Sequence, residues 1–175
     1  MVKRVGEREI FKTKFFSVKD VDLQLDSGRK VTYQILEKGD TSLIVPITHG
    51  NQLIFVREYF VAIDGYQLSL PKGRIEKGHS EVETANKELQ EEIGYKAGRI
   101  DLLGVLTMSP GYLAQKTHIF LARDLVESKL SGDELEELEV VRYPFDKFED
   151  LIQRGKLTEA RTIAALYLAR KFLNR

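Results

Sequence analysis

A chain of 175 residues, 42% hydrophobic and 31% charged, is sized and composed as one globular domain with at most a small appendage. Its 27 basic and 27 acidic residues leave no net field to attract nucleic acid, and no apolar run approaches the roughly 20 residues of a membrane span. Zero cysteines exclude disulfides, thiolate zinc sites and cysteine nucleophiles, while His49, His79 and His118 are too scattered for a histidine-rich metal centre.

In chain order, the opening MVKRVGEREIF carries basic residues with no apolar stretch behind them, so a cytoplasmic protein is expected. The first forty residues read as β-rich. Phe16 to Leu25 alternates in part, Asp26-Ser27-Gly28 is a hairpin-type turn, and Lys30 to Leu36 returns with Val31, Tyr33 and Ile35 on one face. After the linker Lys38-Gly39-Asp40 come two apolar strands, Ser42 to Thr48 and Gln52 to Tyr59, joined by His49-Gly50-Asn51. A third apolar segment, Tyr66 to Leu70, runs straight into Pro71-Lys72-Gly73. Further strands are expected at Ile100 to Met108, Thr117 to Ala122 and Glu139 to Tyr143, with the turn-rich Ser109-Pro110-Gly111-Tyr112 between the first two. Asp146 to Arg154 and Thr158 to Leu173 read as helices, the latter with Ile163, Leu166, Tyr167, Arg170 and Leu173 at helical spacing. The expected class is α+β: a mixed central sheet with helices on its faces, preceded by a small N-terminal β appendage.

The segment PKGRIEKGHSEVETANKELQEEIGY carries the chemistry. Ser80 followed by Glu83 is a capping box and Gly94 a C-terminal stop, so a helix is predicted between them. At about 100° per residue, Val82, Ala85, Leu89 and Ile93 form an apolar stripe. Glu88 and Glu92 lie beside it, with Glu91 close by. Those carboxylates are expected at the edge of the buried face, where like charges repel unless a cation intervenes. A plainer alternative is a solvated face knitted by Glu83–Lys87 and Glu92–Lys96 pairs, but it leaves Glu88 and Glu91 without a cation one turn away. Hard oxygen ligands of this kind suit Mg2+, with Mn2+ as a substitute, and point to metal-assisted attack of water on a phosphoryl group.

This segment resembles the Nudix box, with Gly73, Glu88, Leu89, Glu91, Glu92, Gly94 and Tyr95 at matching positions. His79 and Lys87 depart from it, standing where the family has Glu and Arg as a structural ion pair. The segments LIFVREYFVAIDGYQLSLPKG, MSPGYLAQK, SGDELEELEVVRYP and EARTIAALYLARKFL are similar to the branch that hydrolyses ADP-ribose and nucleoside diphosphate sugars. The resemblance implies an α/β/α sandwich, with residues 1–40 as a β-rich dimerisation segment and residues 41–175 as the hydrolase domain.

It also implies roles. Glu88, Glu92 and the Lys72 carbonyl become metal ligands, the carbonyl aimed by a tight turn at Gly73, and Glu91 shares a second ion or a bridging water. A late-loop glutamate, Glu134 or else Glu136, acts as base or orients the attacking water. Arg57 clamps phosphate or pairs with a box carboxylate, Tyr112 stacks on a base or sugar, and Phe16 contributes to the base pocket. The branch often has Arg-Gln-Tyr-Arg where this chain has Arg57-Glu58-Tyr59-Phe60. The implied activity is Mg2+-dependent cleavage of a nucleoside diphosphate sugar to a nucleoside monophosphate and a sugar phosphate. Alternatives are a dinucleoside polyphosphate or NADH pyrophosphatase and, from another class, a non-catalytic nucleotide-binding Nudix module. A homodimer is implied, with neither nucleic acid nor membrane as partner.

Overall fold

The structure, a computed structural model, describes residues 1–132 and 138–174. It divides into two compact units, one of Met1–Asp40 with Thr107–Lys116 and one of Thr41–Leu106 with Thr117–Arg175.

In the first unit, β1 (Val2–Lys12), β2 (Ser17–Leu25), β3 (Lys30–Glu37) and the short β9 (Leu113–Ala114) form a sheet in that order. The β2–β3 hairpin closes where expected, at Asp26-Ser27-Gly28, with Gly28 N–H donating to the Leu25 carbonyl at 2.8 Å. Sequence periodicity had not separated β1, and the reason is physical: ten of its eleven residues are exposed and the other, Gly6, is half-buried, so no inward face constrains its residues to alternate.

The second unit holds two sheets. One has the order β7 (Lys72–Arg74), β4 (Thr41–Pro46), β10 (Lys116–Glu127), β8 (Tyr95–Thr107) and is mixed, with β4 and β10 parallel and β7 antiparallel to β4. The other joins β11 (Glu139–Pro144), β5 (Gln52–Phe60) and β6 (Gly65–Ser69), all antiparallel neighbours. β4 and β5 follow one another in sequence, yet belong to separate sheets, with an isolated Ile47–Leu53 bridge just past the end of β4.

The period of two in these strands builds two cores. Leu43, Val45, Leu53, Phe55, Ile119 and Leu121 face α2 (Phe148–Gln153) and α3 (Ala160–Leu173). Their neighbours Ile44, Ile54, Val56, Phe120 and Ala122 pack with Ala85, Leu89 and Ile93 of the helix that carries the carboxylates. Helices therefore cover both faces of the strands, the α/β/α arrangement. The parity extends to the end of β5, where Arg57 follows the α2/α3 side and Glu58 the side of Glu88 and Glu92.

Candidate active site

The carboxylate helix starts as expected. α1 (Glu81–Glu88) has a complete capping box: Glu83 N–H donates to Ser80 Oγ at 3.2 Å, and Ser80 N–H donates to the Glu83 carboxylate at 2.8 Å. The Ser42 hydroxyl, buried on β4, donates to the Glu81 carbonyl and fixes the first turn to the sheet. The capping box uses Glu83, so the Glu83–Lys87 pair of the plainer alternative is not the one formed. Val82 is 47% exposed, and Thr84 takes the buried place beside Ala85.

From Leu89 to Ile93 the helix widens into a single π turn that ends at Gly94, whose φ of 75° is left-handed and whose N–H reaches back five residues to the Leu89 carbonyl. A residue in a wider turn rotates less about the axis, so the α-helical wheel fails for the residues after Leu89. The carbonyls freed in this turn find donors in the segment after β10. Leu130 N–H donates to Gln90, Lys129 Nζ to Glu91 at 2.7 Å, and Ser128 N–H to Gly94.

The consequence is that Glu92 is buried, at 6% exposure, rather than at the edge of the core. Its Oε2 accepts the Lys72 backbone N–H at 3.2 Å and does not turn toward Lys96. Burial pushes the Glu92 carboxyl well above the ordinary carboxylate range; the Lys72 charge opposes that push, and Glu88 and Glu58 add to it. Glu88 lies directly against Gly73. A Cβ on that glycine would stand 1.7 Å from Glu88 Oε1. Gly73 sits in β7 without a left-handed φ, so space for the carboxylate requires glycine here, and the expected tight turn does not form.

The domain model described as NUDIX matches residues 37–166. The chain belongs to the Nudix family. It is 37% identical over 166 residues to the ADP compounds hydrolase of Escherichia coli (strain K12), covering 94% of this chain and 89% of that protein. It is 29% identical over 172 residues to the ADP-ribose pyrophosphatase of Bacillus subtilis (strain 168), covering 94% and 93%. A crystal structure of an ADP compounds hydrolase matches with a TM-score of 0.89 at 35% identity, covering 99% of this chain and 94% of that one.

Within this Nudix box the two departures behave differently. Lys87 Nζ pairs with Glu91 at 3.1 Å, so, contrary to expectation, Glu91 has a cation one helical turn back. His79 Nδ1 lies 3.9 Å from Glu76 and half-exposed, so the bracing pair of the family pattern is replaced by two local ones. Nudix hydrolases generally use a divalent metal, and the residues here fit one. Glu88 and Glu92 both meet the Lys72-Gly73 backbone, one in a cradle that a side chain would fill and the other buried and accepting a backbone N–H. Among the described residues no three His, Asp or Glu side chains form a closed cage. Mg2+ does not need one, because it commonly binds one or two carboxylates with substrate phosphates and water completing the shell.

The other sequence-selected residues are dispersed. Arg57 lies on the opposite sheet side, donating to Glu139 at 3.0 Å with its guanidinium 4.7 Å above the Tyr66 ring, and is not paired with a box carboxylate. Phe16 and Tyr112 belong to the first unit. Phe16 is half-buried, 6.5 Å from Phe11. Tyr112 is 58% exposed, its carbonyl accepting the Leu36 N–H. Glu134 and Glu136 fall outside the described residues. Sequence reasoning missed Glu58, whose carboxylate is ion-paired with Lys72 Nζ. The alternation Ile54, Val56, Glu58 along β5 carried the signal that it shares the face of the box.

Proposed function

We propose that this protein is a Mg2+-dependent hydrolase of ADP-ribose and related nucleoside diphosphate sugars, cutting the diphosphate to give a nucleoside monophosphate and a sugar phosphate. The observation that carries this reading is the placement of two box carboxylates against the Lys72-Gly73 backbone, one buried and accepting the Lys72 N–H, the other pressed against Gly73. The chemistry named by the relatives supports the substrate class. Glu88, Glu92 and the Lys72 carbonyl are assigned as ligands of Mg2+, with Mn2+ as substitute. When bound, the ion neutralises phosphate charge and acidifies a coordinated water.

The chain itself does the rest. Glu91 acts beside the two ligands and is held by Lys87. Glu134, then Glu136, is assigned as the base or orienter of the attacking water. Arg57, Tyr112 and Phe16 are assigned to the substrate, the guanidinium for phosphate and the rings for stacking. Residues 1–40 serve association and residues 41–175 catalysis, as a homodimer working in the cytoplasm. The exposed β1, with Val2, Ile10 and Phe11 each about half or more exposed, supports that association.

One panel tests the reading: release of nucleoside monophosphate from ADP-ribose, ADP-glucose, GDP-mannose, UDP-glucose, NADH and diadenosine polyphosphates, with and without Mg2+. Turnover of ADP-ribose or a nucleotide sugar only with metal is expected. Preference for NADH or the diadenosine compounds would replace the substrate assignment, and no turnover of any compound would refute the enzyme.

A further inference from the structure

The Lys72 side chain, as distinct from its backbone, has a place of its own. It leaves β7 and crosses to β5 and β6, where Nζ is ion-paired with Glu58, lies 3.3 Å from Ser69 Oγ and stands 5.1 Å from the centre of the Phe60 ring. Only 12% of the side chain is exposed, against 31% for Glu58. The same residue's N–H holds Glu92, and the next residue's backbone cradles Glu88. The Lys72 ammonium is thereby paired with Glu58, and its charge acts on the buried Glu92 against the repulsion of Glu88 and Glu58. Two oxygens, from Glu58 and Ser69, occupy donors that an ammonium on a flexible stem would otherwise give to water.

We propose that the Lys72 ammonium is a built-in counter-ion of the carboxylate site, balancing Glu58 and the buried Glu92 in the absence of a divalent cation and opposing that cation's binding until a diphosphate arrives. This rests on the assignment of the divalent ion to Glu88 and Glu92. A diphosphate brings enough negative charge to satisfy the ammonium and the metal together, so substrate and metal enter as a pair. In the substrate-free protein the two cations compete, and Glu58 becomes a third carboxylate of the site when the ammonium is removed.

The competition is read with Mn2+ alone, by the electron paramagnetic resonance signal of free Mn2+ titrated into substrate-free protein. Lys72→Met keeps the backbone N–H, the carbonyl and most of the stem, and is expected to bind Mn2+ roughly tenfold or more tightly than wild type. Lys72→Gln is expected to do the same, guarding against a variant that fails to fold. Lys72→Arg keeps the charge and is expected to keep the wild-type affinity. The metal-free melting temperature of Lys72→Met should fall and its rise on adding Mn2+ should exceed that of wild type. Glu92→Gln separates the two levels. If it binds Mn2+ as wild type does, the metal assignment itself is wrong. If it loses Mn2+ while Lys72→Met and Lys72→Gln bind no tighter than wild type, the assignment stands and the counter-ion proposal is overturned.

Discussion

Gly73 shows how narrowly the site is drawn at the scale of one residue. Adding a methyl group there places carbon 1.7 Å from Glu88 Oε1, so the carboxylate must swing away, although its flexible stem makes that movement cheap for the fold. Gly73→Ala is therefore expected to lower kcat/KM about tenfold or more while shifting stability by about 1 kcal/mol at most. Paired kinetics and thermal melts check this, and an unimpaired enzyme would mean that Glu88 need not sit where it does. Glu92 gives the complementary case, because the Lys72 ammonium, paired with Glu58, offsets only part of the burial of this carboxylate, which costs stability until a divalent cation joins it. Glu92→Gln is expected to raise the metal-free stability at neutral pH by about 1 kcal/mol or more. Denaturant titration in a chelating buffer measures it, and a loss of stability would argue that the carboxylate is already satisfied.

Among the elements, the box helix depends on ends that the sequence made readable and on a middle that it did not. Ser80, Glu83 and Gly94 are local signals, each acting through a backbone group within five residues, so the capping box and the left-handed stop were legible. The π turn between Leu89 and Ile93 was not, because its freed carbonyls are satisfied by Ser128, Lys129 and Leu130, some forty residues away. Ser80→Ala is expected to remove about 1 kcal/mol, or about 2–4 °C of melting temperature in a chain of this size. A second test lies in β8 and β10. Arg123 donates to Asp101 at 2.7 Å and holds its carboxyl below the ordinary aspartate range; burial opposes this and Arg99 assists. A depressed carboxylate contributes stability that is present above its unfolded pKa and lost as pH falls through the folded one. Asp101→Asn should therefore be less stable than wild type at neutral pH, and the two should converge in acid. Denaturation curves across that range decide it, and a constant difference at every pH would exclude the ion pair as the cause.

For the whole molecule, the strands with inward faces were readable from their alternation, and β5 and β10 place consecutive residues in two different cores as that period requires. The side-chain partnerships were not. Arg57 with Glu139 joins neighbouring strands of one sheet and Glu58 with Lys72 joins strands of two different sheets, pairs that meet only in the fold, and β1 has no buried side to leave a pattern. That exposed edge strand is the natural place for a second copy. Deleting residues 1–12 is expected to turn the proposed dimer into a monomer in sedimentation, and an unchanged dimer would move the interface elsewhere.

The carboxylate site carries the functional account, and one comparison tests it most directly: AMP release from ADP-ribose by wild type and Glu92→Gln across a Mg2+ titration. Wild type should turn over only with Mg2+, and Glu92→Gln should lose about a hundredfold or more of that rate. Equal rates in the two proteins, or wild-type turnover in a chelator, would contradict a metal held by Glu88 and Glu92.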